Sequence, residues 1–181
     1  SMFLYSNLAA SNVLTTTSSG ATFINTNVTE VTASVSGAGQ RFTISESNAL
    51  IVGASGITTS GGTVTVTAGN AGPGDITGTG TVNAVTGNVE FYNANGSVTL
   101  TSSTGQVQGY LLSVTAQNGA ALNTNVTYLT ASITDASGDL TIREMDTLSL
   151  LNSVTTAGGD IDIAAGQNAS GVLVGSGVVD A

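Results

Sequence analysis

Carboxylates are the main side chains in this sequence that could do acid–base chemistry. The 181 residues include 11 Asp and Glu but no His and no Cys, and the two cations are Arg41 and Arg143. Paired carboxylates can hydrolyse a glycosidic bond, one acting as acid and the other as base or nucleophile. The candidate pairs are Asp135 with Asp139, Glu144 with Asp146, and Asp160 with Asp162.

The last of these pairs shows why we do not expect an enzyme. Asp160 and Asp162 are separated by a single residue, Ile161, in the alternating stretch "DIDIAAG". Both would therefore lie on one face of a strand. The corresponding stretch earlier in the chain, "TVTVTAG", has Thr at both places. A solvated strand face therefore explains the pair better than catalysis does. A serine nucleophile would also lack a His partner, so we expect no catalytic residue.

A tight turn at residues 134–140, "TDASGDL", offers oxygen ligands to Ca²⁺. Asp135, Ser137 and Asp139 place side-chain oxygens at alternate positions. Hard cations take six or more oxygen ligands, however, and this turn supplies only a few. Two interpretations stay open, a plain turn and a weak Ca²⁺ site, and we expect no other cofactor.

The charge of the chain excludes several classes of partner. The formal net charge is −9, and only 7% of the residues are charged. Such a surface repels the phosphates of DNA and RNA and anionic membranes. No run of 18 apolar residues is present, as a membrane-spanning helix would need. We therefore expect no nucleic-acid partner and no membrane insertion.

The chain contains an internal sequence repeat. "INTNVTEVTAS" begins at Ile24 and "LNTNVTYLTAS" begins at Leu122, and the similarity extends over residues 24–69 and 122–166. Internal duplication of this kind is typical of solenoids and other repeat proteins. The apolar positions correspond as Val28 with Val126, Val31 with Leu129, Val35 with Ile133, Phe42 with Leu140, Ile44 with Ile142, and Leu50 with Leu148.

The pattern within each copy predicts strands. Stretches such as "TVTVTAG" and "SVTLTSS" alternate apolar and polar residues, and Gly, Asn or Ser-Gly turns separate them. An antiparallel sandwich and a parallel β-helix both fit short strands. The Asn-Gly pairs typical of hairpins occur only at Asn95-Gly96 and Asn118-Gly119. We therefore predict a single all-β domain over residues 1–181, a parallel, right-handed β-helix of about eight turns of ~20 residues with almost no helix.

Asn and Tyr side chains are the next candidates for specific roles. Asn25, Asn27, Asn123 and Asn125 recur in the repeated phrase, and we expect them to bond turn backbones and stack between turns. An alternative is glycosylation, because Asn27, Asn95, Asn125 and Asn168 each begin an N-x-[ST] triplet. Tyr128 replaces Glu30 of the first copy at an outward position, which makes it the first candidate for a binding contact. Tyr92 and Tyr110 follow it.

Rows of threonine suggest a second function. The stretch "TVTVT" at residues 63–67 would present hydroxyls on one flat face, as ice binding by a β-helix requires in every turn. The corresponding stretch of the second copy is "DIDIA", which is expected to break the row.

The cadence "DASGDLTIREMDTLSLLNSVTTAGGDIDIAAG" resembles the repeats of filamentous-haemagglutinin-type proteins and related giant β-helical exoproteins of bacteria. The resemblance implies a secreted or surface-displayed right-handed β-helix, often an adhesin, and it transfers no functional residue. We then expect a structural and adhesive segment whose partners are a surface receptor or glycan and further turns of the parent chain. Ser1-Met2 resembles an expression-tag remnant, which favours a fragment. The alternatives are an ice-binding or Ca²⁺-dependent binding module and, after those, a polysaccharide-acting enzyme.

Overall fold

The computed structural model describes residues 2–9, 13–168, 170–175 and 177–181. These ranges contain strands and turns but no helix. The strands in chain order are β1 (Met2–Ala9), β2 (Val13–Ser18), β3 (Thr22–Asn27), β4 (Glu30–Ala38), β5 (Phe42–Glu46), β6 (Leu50–Ser60), β7 (Val64–Ala68), β8 (Ile76–Gly78), β9 (Val82–Asn83), β10 (Val89–Asn93), β11 (Ser97–Leu100), β12 (Val107–Ala116), β13 (Gly119–Ile133), β14 (Asp139–Glu144), β15 (Leu148–Thr156), β16 (Ile161–Ala164), β17 (Leu173–Gly175) and β18 (Val179–Asp180).

Each inner strand pairs in parallel with strands from the turns before and after it. All the ladders between the described strands are parallel. This confirms the parallel β-solenoid and excludes the antiparallel sandwich. The strands that flank Asn95-Gly96 and Asn118-Gly119 pair mainly with strands of neighbouring turns. These two Asn-Gly pairs therefore lie at corners of the solenoid and not in hairpins.

The strands form two stacks, which we call face A and face B. Every turn contributes one arc of chain to each face, and the long strands β12 and β13 cross a corner and belong to both. Face A contains β1, β3, β5, β7, β10, the second halves of β12 and β13, β15, β17 and β18. Face B contains β2, β4, β6, β8, β9, β11, the first halves of β12 and β13, β14 and β16.

The solenoid has about seven turns, close to the eight expected. On face A a single inward column leads from Ile24 through successive paired residues to Val154, and the next ladder joins Val154 to Val179. With a strand spacing of about 4.8 Å, seven turns give a rise of roughly 34 Å. The duplicated block contains five arcs, β3 to β7 in the first copy, which is two and a half turns and slightly more than the two that its length predicts.

The two copies of the repeat lie half a turn out of phase. In the first copy Ile24 is on face A, stacked on Ile44. Its counterpart Leu122 is on face B, stacked between Leu100 and Ile142. Counted along the faces, nine arcs separate the copies, which is four and a half turns. Corresponding residues of the two copies therefore point to opposite sides of the solenoid.

The core is one continuous cluster between the two faces. All six pairs of apolar positions that correspond between the copies are buried, as the alternation predicts. Branched aliphatic side chains fill most of the interior, and Phe42 and Phe91 are its largest members. A narrow core of this kind suits a sequence with only 4% aromatic residues.

Adjacent glycines shape the corner that precedes the last strand of each copy. Gly61 has a φ of +87°, a conformation that residues with a side chain rarely adopt. The next residue, Gly62, lies so close to the previous turn that a Cβ atom would sit 1.9 Å from the carbonyl oxygen of Gln40. In the second copy Gly159 meets the carbonyl oxygen of Gly138 in the same way, at 2.2 Å. The repeated Gly-Gly pair is therefore needed for the spacing between turns.

Candidate functional site

A buried glutamate, Glu46, closes the corner at the end of β5. Its side chain is fully buried. One carboxylate oxygen accepts hydrogen bonds from the hydroxyl of Thr26, at 2.6 Å, and from the amide of Val28, at 2.8 Å, both in the turn before. The other oxygen accepts from the amides of Ser47 and Asn48, at 2.8 and 3.3 Å. Four donors thus satisfy a charge that would otherwise be costly to bury.

Glu144 occupies the corresponding place in the second copy, at the end of β14. It is also fully buried, and its carboxylate accepts from the amides of Val126, Met145 and Asp146 at 3.0, 2.8 and 3.4 Å. Burial raises the pKa of Glu144 above its usual range, and the nearby Thr124 hydroxyl and the backbone amides partly oppose that rise. The Thr124 hydroxyl lies near this carboxylate but lacks the short hydrogen bond that Thr26 donates to Glu46 in the first copy.

These glutamates explain much of the repeated phrase "NTNVT". In each copy the first Thr and the Val of the phrase face the glutamate carboxylate of the following turn. The phrase and the glutamate therefore form one structural unit. Sequence reasoning missed Glu46 altogether and assigned Glu144 to a candidate catalytic pair with Asp146. Asp146 is exposed, whereas Glu144 is enclosed by backbone amides. The available signal was a Glu at the same place in both copies of a chain with few charges.

The pair Asp160 and Asp162 lies at the start of β16. Both residues are exposed. Asp162 forms an ion pair with Arg143 of the previous turn, which lowers the pKa of Asp162 and raises that of Arg143. The amide of Asp160 donates to the carboxylate of Asp139 at 2.9 Å. These contacts join neighbouring turns across the surface.

The predicted Ca²⁺ turn has its own internal hydrogen bonds. The Asp135 carboxylate accepts from the amide of Ser137 at 2.9 Å and from its hydroxyl at 2.7 Å, and these two bonds lower the pKa of Asp135. The Asp139 carboxylate instead accepts from Asp160. Among the described residues, no group of three or more acidic side chains is placed to hold a metal ion. A Ca²⁺ site would rest largely on backbone and hydroxyl oxygens.

Two of the four repeated asparagines make side-chain hydrogen bonds between turns. Asn27 accepts from the side-chain amide of Asn48 at 2.8 Å. Asn123 donates to the carbonyl oxygens of Thr101 and Ser103 at 3.0 and 3.1 Å. The side chains of Asn25 and Asn125 make no hydrogen bond to another described residue, although both lie in strands of the repeat.

Tyr128 lies beside Tyr110 at the corner where β12 and β13 pass onto face A. The two rings are in edge-to-face contact with centroids 5.0 Å apart, a favoured geometry for aromatic pairs. Tyr110 is 51% exposed, whereas Tyr128 is half-buried. The neighbouring phenol of Tyr128 raises the pKa of Tyr110. The pair therefore forms an aromatic surface patch.

The outward side of face A carries two columns of hydroxyl side chains, which we call the hydroxyl face. One turn interrupts it, where Glu90 and Tyr92 take the two outward places of β10. All its Ser and Thr members are half-buried. In one column the hydroxyl residues are Thr43, Thr65, Ser113 and Thr130, and in the other they are Ser45, Thr67, Thr115, Ser132 and Thr155.

The expectation that "DIDIA" breaks the threonine row is wrong. Residues 63–67 lead into and along β7 on face A, but Asp162 of β16 lies on face B. The half-turn phase difference between the copies is the reason, since corresponding residues do not share a face. Glu90 and Tyr92 interrupt the row instead.

The surface has shallow grooves in addition to these faces. One of about 340 Å³ is lined by Thr104, Asn123, Arg143, Gln167 and Asn168, and Arg143 is held there by its ion pair. Nothing within the described ranges is a helix long and apolar enough to cross a membrane.

Comparisons with known proteins give no match to a protein-family model, a curated protein or a solved structure. The resemblance to filamentous-haemagglutinin-type repeats therefore rests on the cadence of the sequence.

Proposed function

We propose that this chain is a stiff, adhesive segment of a large secreted or surface-displayed bacterial protein, with binding along its faces. The observation that carries the proposal is the unbroken stacking of face A over about seven turns. Each turn is hydrogen-bonded through its backbone to the next, so bending would break ladder bonds along one face. Such a rod holds its shape without a wide core.

Contacts that the acidic residues make within the protein support a segment that binds a ligand without catalysing a reaction. Glu46 and Glu144 are enclosed by amide donors. Asp162 is paired with Arg143, and Asp135 with Ser137. A glycosidase needs two carboxylates that are free to reach one bond. Of the acids that sequence reasoning suggested for this role, Glu144, Asp135, Asp139 and Asp162 accept hydrogen bonds at corners and turns. The side chains of Asp146 and Asp160 are exposed.

Further turns of the parent chain are the proposed partner at the C-terminal end. Strands β17 and β18 pair with β15 on one side. Leu173 and Val179 are exposed there, although their partners on the turn before, Leu148 and Val154, are buried. Another turn stacked on this end would cover those side chains and pair the free strand edges.

The experiment is attachment of cells that display the parent protein. One strain carries the full protein, and a second lacks two whole turns of this segment. We expect both to reach the surface, detected by an antibody to a tag outside the segment, and the second to adhere less to receptor- or glycan-coated surfaces. A protein that stays inside the cell, or adhesion that is unchanged by the deletion, would show the proposal to be wrong.

A further inference from the structure

An aromatic ring stands at the centre of the hydroxyl face. Tyr92 is 48% exposed, whereas the Ser and Thr residues around it are half-buried. We propose that this part of face A binds a neutral polysaccharide, with Tyr92 as the platform for one sugar ring. The inference rests on the proposed function, because it names the kind of partner that binds along the rod.

The ladder fixes what surrounds the ring. Tyr92 pairs with Thr67 on the turn before and with Thr115 on the turn after. The three side chains therefore form a column with a spacing of about 4.8 Å along the axis. Tyr offers an apolar face with a polar tip, which suits the C–H face of a sugar and its hydroxyls.

Hydrogen-bonding groups are free on both sides of the ring. Within the described residues, no hydrogen bond engages the hydroxyls of Thr67 or Thr115. Glu90, at the neighbouring outward place of β10, accepts from the Thr65 hydroxyl through one carboxylate oxygen at 3.0 Å. Its other oxygen is left to accept from a sugar hydroxyl. An aromatic platform with hydroxyl and carboxylate partners is thus assembled on one turn and its two neighbours.

The charge of the face favours a neutral ligand. Glu90 contributes negative charge beside Tyr92, and the chain as a whole carries −9. Arg41 is the cation near this face, and its guanidinium lies over the Phe23 ring, 5.9 Å from the centroid. Phe23 is three turns from Tyr92 along the columns, roughly 14 Å away. A polyanionic glycan would meet repulsion at Tyr92 without a compensating cation.

The direction of the columns favours an extended polymer over an ice lattice. The columns follow the axis of the solenoid, so a linear chain lying along that axis meets donors and acceptors in successive turns. An ice surface needs a flat row repeated in every turn. Tyr92 projects from the row at its centre and would hold a flat lattice away from Thr67 and Thr115.

The test is titration of the 181-residue protein with soluble polysaccharides. The neutral probes are β-1,3-glucan, β-1,4-xylan and galactomannan, and the polyanionic probe is heparin. We expect binding to at least one neutral probe and none to heparin. Tyr92→Ala should weaken that binding about tenfold by removing the stacked ring, and Tyr92→Phe should retain most of it. Ile51→Ala, which removes an exposed apolar side chain on face B, is the control and should change nothing.

The alternative outcomes separate this inference from the proposed function. Binding that survives Tyr92→Ala, binding to heparin alone, or no binding to any probe would overturn it. Inhibition of ice recrystallisation that is lost in the Thr67→Val and Thr115→Val double variant would assign the face to ice instead. A deletion that abolishes cell adhesion while the protein binds none of the probes would overturn this inference and leave the adhesive stalk standing. Equal unfolding midpoints for all variants show that the substitutions act at the surface.

Discussion

Two buried carboxylates matter more to this molecule than its exposed acids do. Glu46 and Glu144 each receive backbone amides from two successive turns. A buried acceptor that satisfies several amides is expensive to remove, because each amide then lies unpaired away from water. The exposed Asp residues make contacts that solvent can replace.

Replacing Glu46 with Ala should destabilise the protein strongly. The amides of Val28 and Ser47 would lose their acceptor, and a cavity would remain, at a combined cost of about 3 kcal/mol. Equilibrium unfolding in urea measures the change. Asp146→Ala, at an exposed acid, is the control and should lie within about 0.5 kcal/mol of the parent. Equal stability of the two variants would mean that Glu46 is not a structural acceptor.

The pH dependence of stability should reveal Glu144. Its pKa in the folded protein is raised above the ordinary value of 4.5, so between these two values the folded state binds more protons than the unfolded state. The free energy of unfolding due to this group therefore falls as pH rises from about 4.5 through the folded-state pKa, and is constant above it. Asp135 and Asp162 have lowered pKa values, so their contribution is lost only as the pH falls below their ordinary value of 3.8.

The measurement is the free energy of unfolding of the parent and of Glu144→Gln between pH 4.5 and 7.5. The variant has no ionisable group at this place, so the parent should lose stability relative to it as pH rises. The other acids are common to both proteins and cancel in the difference. A difference that does not vary with pH would contradict the raised pKa.

At the scale of the element, the corners set the spacing between turns. The strands are short and chemically ordinary, and many sequences of alternating Val and Thr would form them. The corners are more demanding, since backbone from one turn passes within van der Waals contact of backbone from the next. Gly62 is such a place because no side-chain atom fits between it and Gln40.

Gly62→Ala should separate the two turns locally and cost about 2 kcal/mol, the usual effect of forcing an extra methyl into a tightly packed site. Thermal and urea unfolding would both record the loss. Gly72→Ala is the matched control, because a Cβ there meets no heavy atom within 4 Å and the residue has no left-handed φ. A Gly62→Ala protein as stable as the control would show that the corner can relax.

Sequence pattern was sufficient for the strands and their inward residues, since alternation records which side chains are buried. Val31, Ile44 and Leu122 follow directly from it. The pattern could not place Glu46, because a buried charge runs against the usual preference and only the amides of another turn explain it. It also misplaced Asp162 relative to residues 63–67, since an alignment of repeats does not record which face each copy occupies.

On the scale of the whole molecule, stability should be graded along the axis. Each turn contacts mainly its neighbours, so a solenoid behaves as a row of units coupled pairwise. Inner strands such as β7 and β10 have a partner on both sides. The terminal strands β17 and β18 pair on one side and expose Leu173 and Val179.

Native-state hydrogen exchange should therefore find the slowest amides in β7 and β10 and the fastest in β17 and β18. Rates are compared with those of the same peptides in the unfolded chain, which removes intrinsic differences between residues. Uniform protection along the axis would indicate that the molecule opens as a single cooperative unit.

The half-turn offset between the copies bears on how such a chain can lengthen. A block that began on one side of the rod in its first copy begins on the opposite side in its second, and both copies bury the same positions. The interior accepts a given arc of sequence from either side. The smallest increment that this architecture can gain or lose in evolution, or in the hands of a designer, is then a single arc of about ten residues.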